Sequence, residues 1–364
     1  MFDWLDTPQL LIEDRIFRQN LHRMQTLANQ LGKRLRPHTK THKSPEFARE
    51  QIRLGADGIM VAKLDEASVM LSGGIAEQSV GYPLIGRIKA VRLAELMLRG
   101  LKPRVSVDSD EGILLLEAVG TSVGQVIDVL IEVDTGLRRA GLADLDAVVG
   151  MAKMIASQGH VHFKGLTCFG GHIGKQATIE ATIAEVQAED RMLAWLVAAL
   201  GRSQLDPEVV SEGGTIPAAF AEYLRTATEI RPGTYIYNDV ATVEAGAATF
   251  EQCAASILTT VVSTPDPHWA VIDAGSKTLS SDGTRGGGYG HVVGRQNLRV
   301  ERLSEEHGIV ARSDGGAVGL KVGDRLRIIP NHVCTAVNLH RHALAVDGDN
   351  VLRSVAIAAQ GGIH

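Results

Sequence analysis

The sequence predicts an α/β protein, a (β/α)8 barrel of the TIM type followed by a second, C-terminal all-β domain. Three observations lead there. Eight short apolar or β-branched runs alternate with segments of 3.6-residue periodicity through the first two thirds of the chain. Beyond residue 239 the helical period gives way to alternating strand-like runs. At 364 residues the chain also exceeds the length at which single cores stop growing.

The eight strands are expected at residues 34–40, 58–63, 79–83, 104–107, 126–133, 163–169, 208–211 and 229–237. Helical periods occupy 64–71, 89–98, 111–118, 145–155 and 179–200 between them. Eight alternations at this spacing favour a closed parallel barrel over an open doubly wound sheet. The second domain shows strand-like runs at 257–262, 269–272, 325–329 and 343–346, divided by turns such as DGDN. The expected division is a barrel at 9–240 and a β domain at 241–364 joined by residues 1–8. The stretch SDGTRGGGYG, residues 281–290, reads as the most flexible part of the chain.

Composition narrows the function classes. Hydrophobic residues make up 45% and charged residues 22%, which points away from both disorder and a membrane protein. A net charge of -5 offers no broad cationic surface, so nucleic acid is not an expected partner. The three cysteines, Cys168, Cys253 and Cys334, are too few for a disulfide framework, and the start MFDWLDTP lacks a basic stretch followed by an apolar run. The expectation is a soluble cytoplasmic protein with no membrane span.

Three motifs carry chemistry. Residues 36–43 read RPHTKTHK and place Lys40, flanked by His38 and His42, at the carboxyl end of the first barrel strand, where such barrels keep their active sites. A lysine there is a candidate Schiff-base former, and the cations around it (Arg36, Lys43, a protonated His38 or His42) favour its neutral amine. The plainer reading is a basic surface loop. The second motif is SEGGT at 211–215 together with RPGTY at 231–235. Gly213, Gly214, Thr215, Gly233 and Thr234, with Tyr235 beside them, stand after strands seven and eight, where barrels commonly hold phosphate. A strand-one lysine with a phosphate seat on strands seven and eight is the layout of a pyridoxal phosphate barrel. The third is PNHVCTAVNLH at 330–340. His332 and Cys334 flank one residue, so on a strand their side chains share a face and form half of a metal site, or else a buried histidine beside an inert cysteine. His172, in CFGGHIG, reaches substrate or merely packs.

With these motifs the sequence resembles the D-threonine aldolase and D-serine dehydratase family, which shares its barrel with alanine racemase. The resemblance runs through RPHTKTHK, VDTGLRRAG (133–141), DAGSKTLSSDG (273–283), LSEEHG (303–308) and PNHVCTAVNLH, nearly the whole chain. It implies that Lys40 carries pyridoxal 5'-phosphate, that Arg139 lies near the cofactor's phenolic oxygen, and that His332 and Cys334 bind a divalent metal such as Zn, Mn or Mg. It further implies a D-3-hydroxy amino acid as substrate and a homodimer. His-x-Cys at 332–334 favours a dehydratase giving a 2-oxo acid and ammonia. The alternative is an aldolase giving glycine and an aldehyde, with His38 or His42 as base. A racemase or a non-catalytic cofactor carrier would leave the His332/Cys334 pair without purpose. His340 stands where other members have a histidine or an aromatic residue.

Overall fold

The computed structural model describes residues 2–364. The chain forms two compact units, one of residues 23–40, 45–233 and 362–364, the other of the chain up to His22 with residues 41–44 and 234–361. The first strand, β1 (Gln9–Glu13), belongs to the second of these.

The first unit carries eight parallel strands: β2 (Arg34–Leu35), β3 (Ile59–Val61), β4 (Glu77–Val80), β5 (Lys102–Val107), β6 (Ile127–Val133), β7 (Val161–Phe169), β8 (Val209–Gly213) and β9 (Glu229–Arg231). Their order is β2-β9-β8-β7-β6-β5-β4-β3, and a parallel bridge between His38 and Met60 joins the two ends. The strands read as apolar runs such as IDVLIEV because helices cover the outer face while other side chains fill the interior. Local signals set the helix ends. Ser109, Asp144 and Thr178 cap the helices Asp110–Val123, Leu145–Ala156 and Ile179–Arg202, and Gly124, at φ 66°, stops the first of them.

The first barrel strand is shorter than the expected 34–40. Pro37 has no N–H to continue a ladder, and after the bridge at His38 the chain turns into the 3-10 helix Thr39–Thr41. Lys40 therefore sits on a tight turn beyond the strand, and Thr39 anchors the turn by donating from Oγ1 to the Met60 carbonyl at 3.0 Å. Likewise the eighth strand ends at Arg231, and Thr234–Ile236 forms another 3-10 turn.

The second unit is built on β10 (Ala255–Asp266), β11 (Trp269–Ile272), β12 (Gly290–Val292), β13 (Leu298–Leu303), β14 (Gly308–Arg312), β15 (Arg325–Pro330), β16 (His342–Asp347) and β17 (Asn350–Ala356). β10 is long enough, with register shifts, to pair with both β15 and β11, which closes β10-β15-β12-β13-β14-β11 into an antiparallel barrel. β1 extends that sheet, antiparallel to β10 and parallel to β16. This pairing draws the N-terminal segment into the β unit well past the expected residue 8, and the unit resumes at Thr234, ahead of the expected 241. The 281–290 stretch is tied down at several points: Asn331 Nδ2 donates to the carbonyls of Asp282 and Gly288, and Glu244 accepts from the amides of Arg285 and Gly286. Among the described residues, no helix is long and apolar enough to cross a membrane.

Candidate active site

In the barrel unit the structure gathers Lys40, Arg139, Gly213 and Gly214 around Phe169, the last residue of β7. Lys40 Nζ lies 5.3 Å and Arg139 Cζ 4.7 Å from the centroid of the Phe169 ring. A Cβ on Gly213 would stand 3.2 Å from that ring and one on Gly214 3.6 Å, so two cations and the glycine turn meet at one aromatic side chain. His38 is half-buried, and its Nδ1 accepts from the Lys40 amide at 3.3 Å. His42 is buried, and its Nδ1 accepts from the Ser44 amide at 3.1 Å.

The expected cationic surround of Lys40 is corrected in part. Arg36 points into the barrel, where Nε donates to Glu229 at 2.9 Å and Nη2 to Asp57 at 3.0 Å, and Lys43 Nζ donates to the Ala359 carbonyl. Arg139 is the cation that shares the Phe169 ring with Lys40. Its loop is shaped by Asp134, whose Oδ1 accepts from the amides of Gly136 and Arg138, while paired bonds between 132–134 and Leu142 pinch the loop shut. Gly141, at φ 101°, is required there, since a Cβ would meet the Asp134 amide at 2.7 Å. Arg139 is exposed, with Nη2 3.8 Å from Glu132 Oε1. Burial raises the Glu132 carboxyl above its ordinary range against the opposing pull of Arg231 and Arg139.

The phosphate-seat candidates meet at the ends of β8 and β9. Gly214 holds φ 116°, and Thr215 Oγ1 accepts from the Gly233 amide at 3.2 Å, which joins the two strand ends. Arg231, unremarked in the sequence beyond its motif, is 5% exposed; its Nη2 donates to the Cys168 carbonyl, and its buried Nη1 has no partner. Gly213 leaves the space beside it, since a Cβ there would stand 2.7 Å from Arg231 Nη2.

In the β unit His332 and Cys334 do come together, although on a helix start instead of a strand. β15 ends at Pro330, and His332 is the N-cap of the short helix Val333–Val337. Asp239 Oδ2 accepts from the Val333 amide at 3.0 Å and lies 3.3 Å from His332 Nδ1. The Cys334 thiolate, against the opposing effect of burial and with help from Asp239, raises the imidazole to about 11. Thr41 Oγ1 and Thr234 Oγ1 lie 3.0 and 3.5 Å from Cys334 Sγ. Tyr235 is buried within its turn.

The two undecided histidines differ. His340 is lowered by burial, with Nε2 3.1 Å from the Thr278 carbonyl, a packing role. His172 lies against Gly136 of the Arg139 loop, with Nδ1 buried and unpaired. A further buried group, with no signature in the residue order, is Cys168, Glu189 and Glu212, whose candidate ligand atoms all lie within 4.8 Å of one another.

Known proteins are similar to this chain along its length. Residues 12–240 match the family model described as "Alanine racemase, N-terminal domain", and residues 254–346 match that of the "Putative serine dehydratase domain". The chain is 32% identical to D-threonine aldolase of Arthrobacter sp over 361 residues, 98% of this chain and 93% of the relative. It is also 32% identical to D-threo-3-hydroxyaspartate dehydratase of Delftia sp. (strain HT23) over 364 residues, 94% of this chain and 95% of the relative. The crystal structure of D-threonine aldolase from Filomicrobium marinum superposes with a TM-score of 0.92 at 29% identity, covering 100% of this chain and 98% of that one. With its barrel, its β unit and its sequence all matched along their length, the chain belongs to the D-threonine aldolase and D-serine dehydratase family of alanine racemase-like D-amino acid lyases.

Proposed function

We propose that this lyase uses pyridoxal 5'-phosphate and a divalent metal to dehydrate D-3-hydroxy amino acids of the D-serine and D-threonine type to a 2-oxo acid and ammonia. The observation that carries the reading is the convergence of Lys40, Arg139, Gly213 and Gly214 on Phe169. The residues fit both groups. Arg231 Nη1 is a buried donor that lacks an acceptor, and Gly213 keeps the adjoining space clear. Asp239 behind His332 Nδ1 is the carboxylate that commonly fixes a metal-ligating imidazole, leaving Nε2 and the Cys334 thiolate as ligands.

When bound, the cofactor supplies an electron sink for charge left at the substrate Cα, and the metal a Lewis acid for the β-oxygen. Lys40 would hold the cofactor covalently, and its amine when free would take the Cα proton. Arg139 would offer a cation to the phenolic oxygen, and the amides around Gly213, Gly214 and Thr215 would seat the phosphate; Thr234 and Tyr235 keep the phosphate-binding role their motif implies. His38 and His42 each have Nδ1 engaged by a backbone amide, so either can exchange a proton only through Nε2.

A second reading, aldol cleavage to glycine and an aldehyde, is favoured by the equal identity to the Arthrobacter aldolase. The thiolate of Cys334 speaks for dehydration. Incubation with D-serine and D-threonine, followed by assay of 2-oxo acid against glycine, separates the two. Glycine as the sole amino product overturns dehydration, and a Lys40→Ala protein that keeps the bound-cofactor absorbance overturns the attachment site. We further place the enzyme in the cytoplasm as a homodimer, in keeping with its three free cysteines and its family. A monomer mass in sedimentation equilibrium would refute the dimer.

A further inference from the structure

Behind the proposed cofactor seat, Cys168 and Glu212 are paired across the β7–β8 ladder, one residue before Phe169 and Gly213. Successive side chains of a strand face opposite ways, so this pair looks away from the seat, toward the helix Ile179–Arg202 and its Glu189. Cys168 Sγ lies 2.7 Å from Glu212 Oε2, and the Thr135 hydroxyl donates to Glu189 Oε2. The glutamates are 1% and 3% exposed, and the Oε1 atom of each is buried without a donor. Two ionised carboxyls offer only acceptors to each other, so a proton between them is the missing donor. A metal would fit less well. Tetrahedral zinc holds sulfur and oxygen ligands about 3.5 Å apart, farther than the 2.7 Å found here.

We propose that Glu212 carries a proton held against the Glu189 carboxylate and that the two, with the Cys168 thiol, act as positioning residues that set Phe169 and Gly213–Gly214 in place for the cofactor, and that loss of the Glu212 proton at alkaline pH loosens the seat. The charged and titratable groups around it are few: Cys168 on β7, Glu212 on β8, Glu189 on the helix and Arg231 on β9, whose Nη2 is bonded to the Cys168 carbonyl. Burial first, then Glu189, pushes Glu212 well above the ordinary carboxyl range, and burial with Glu212 and Glu189 keeps the thiol protonated. The role of the seat rests on the function proposed above; the Glu212 proton does not.

Infrared difference spectra of the purified holoenzyme test the proton directly. At neutral pH a protonated-carboxyl stretching band is expected in the wild type and is lost in both Glu212→Gln and Glu189→Gln. Absence of the band from the wild type, or its survival in both variants, overturns the proposal. Cofactor titration tests the seat: affinity in the wild type weakens by up to about tenfold per pH unit beyond the titration of Glu212, and Glu212→Gln flattens this dependence. Superimposable pH profiles overturn the positioning role even if the band is present, while a band with no cofactor bound at any pH instead refutes the proposed function. Loss of one metal ion per chain in both Cys168→Ser and Glu212→Gln, with retention in His332→Ala, would make the cluster a metal site and overturn the protonation of Glu212.

Discussion

Glu212 and Glu229 stand on adjacent strands of one barrel, both deeply buried, and their surroundings drive them in opposite directions. Burial alone pushes each carboxyl up. Glu229 faces the barrel interior, where Arg104, Arg36 and the Ser211 hydroxyl all donate to it, and these cations overcome burial to hold it ionised at about 2. Glu212 faces outward to a second glutamate and a thiol, with no cation bonded to it, and is held protonated. The contrast shows that depth does not decide the charge of a buried acid. The donors on its own side of the sheet do.

The largest effect should come from breaking the inner cluster. Glu229→Leu leaves Arg36 and Arg104 buried without their shared counter-ion and is expected to cost about 3–5 kcal/mol in urea unfolding. A loss under about 1 kcal/mol would mean that Arg36, through Asp57, and Arg104, through Ser79, are sufficiently held without it.

The pH dependence sharpens the comparison because the two acids have opposite signs. Glu229 is lowered from 4.5 to about 2, so its contribution is complete above the upper value and disappears as pH falls through the lower. That 2.5-unit window corresponds to about 3 kcal/mol of stability, measured as the acid limb of unfolding, and Glu229→Gln should abolish that limb. Glu212 is raised, so its contribution is complete in acid and is lost as pH climbs above the ordinary carboxyl range toward its folded value. The alkaline limb should fall by at most about 1.4 kcal/mol per pH unit and flatten in Glu212→Gln. The smallest change is expected from Cys168→Ser, which keeps a donor to Glu212 and should shift stability by about 1 kcal/mol or less at neutral pH.

Much of the barrel was legible in the sequence. All eight strands overlap the expected runs, although the first and last stop short, because burial on both faces writes each strand as an apolar run bounded by turns. Lys40 was legible through its histidine-flanked motif, but its turn was not, because the effect of Pro37 depends on the pairing of its neighbours with Met60. Phe169, Arg231 and Glu212 were hidden in strand sequences, where nothing in the residue order says which face a side chain takes or what meets it there. His332 and Cys334 were legible as a pair, but Asp239, some ninety residues earlier, becomes their neighbour only through tertiary structure. The division at Thr234 was obscured because the chain leaves the barrel without a change of composition.

The placement of β1 bears on how the chain matures during synthesis. This strand is made before any barrel strand, yet its partners β10 and β16 leave the ribosome only after more than 240 and 320 further residues. Every barrel strand is translated in that interval. The nascent β unit therefore waits with an unpaired, apolar N-terminal ribbon, LLI, whose sequestration by a chaperone or by the growing polypeptide would govern the yield of native enzyme.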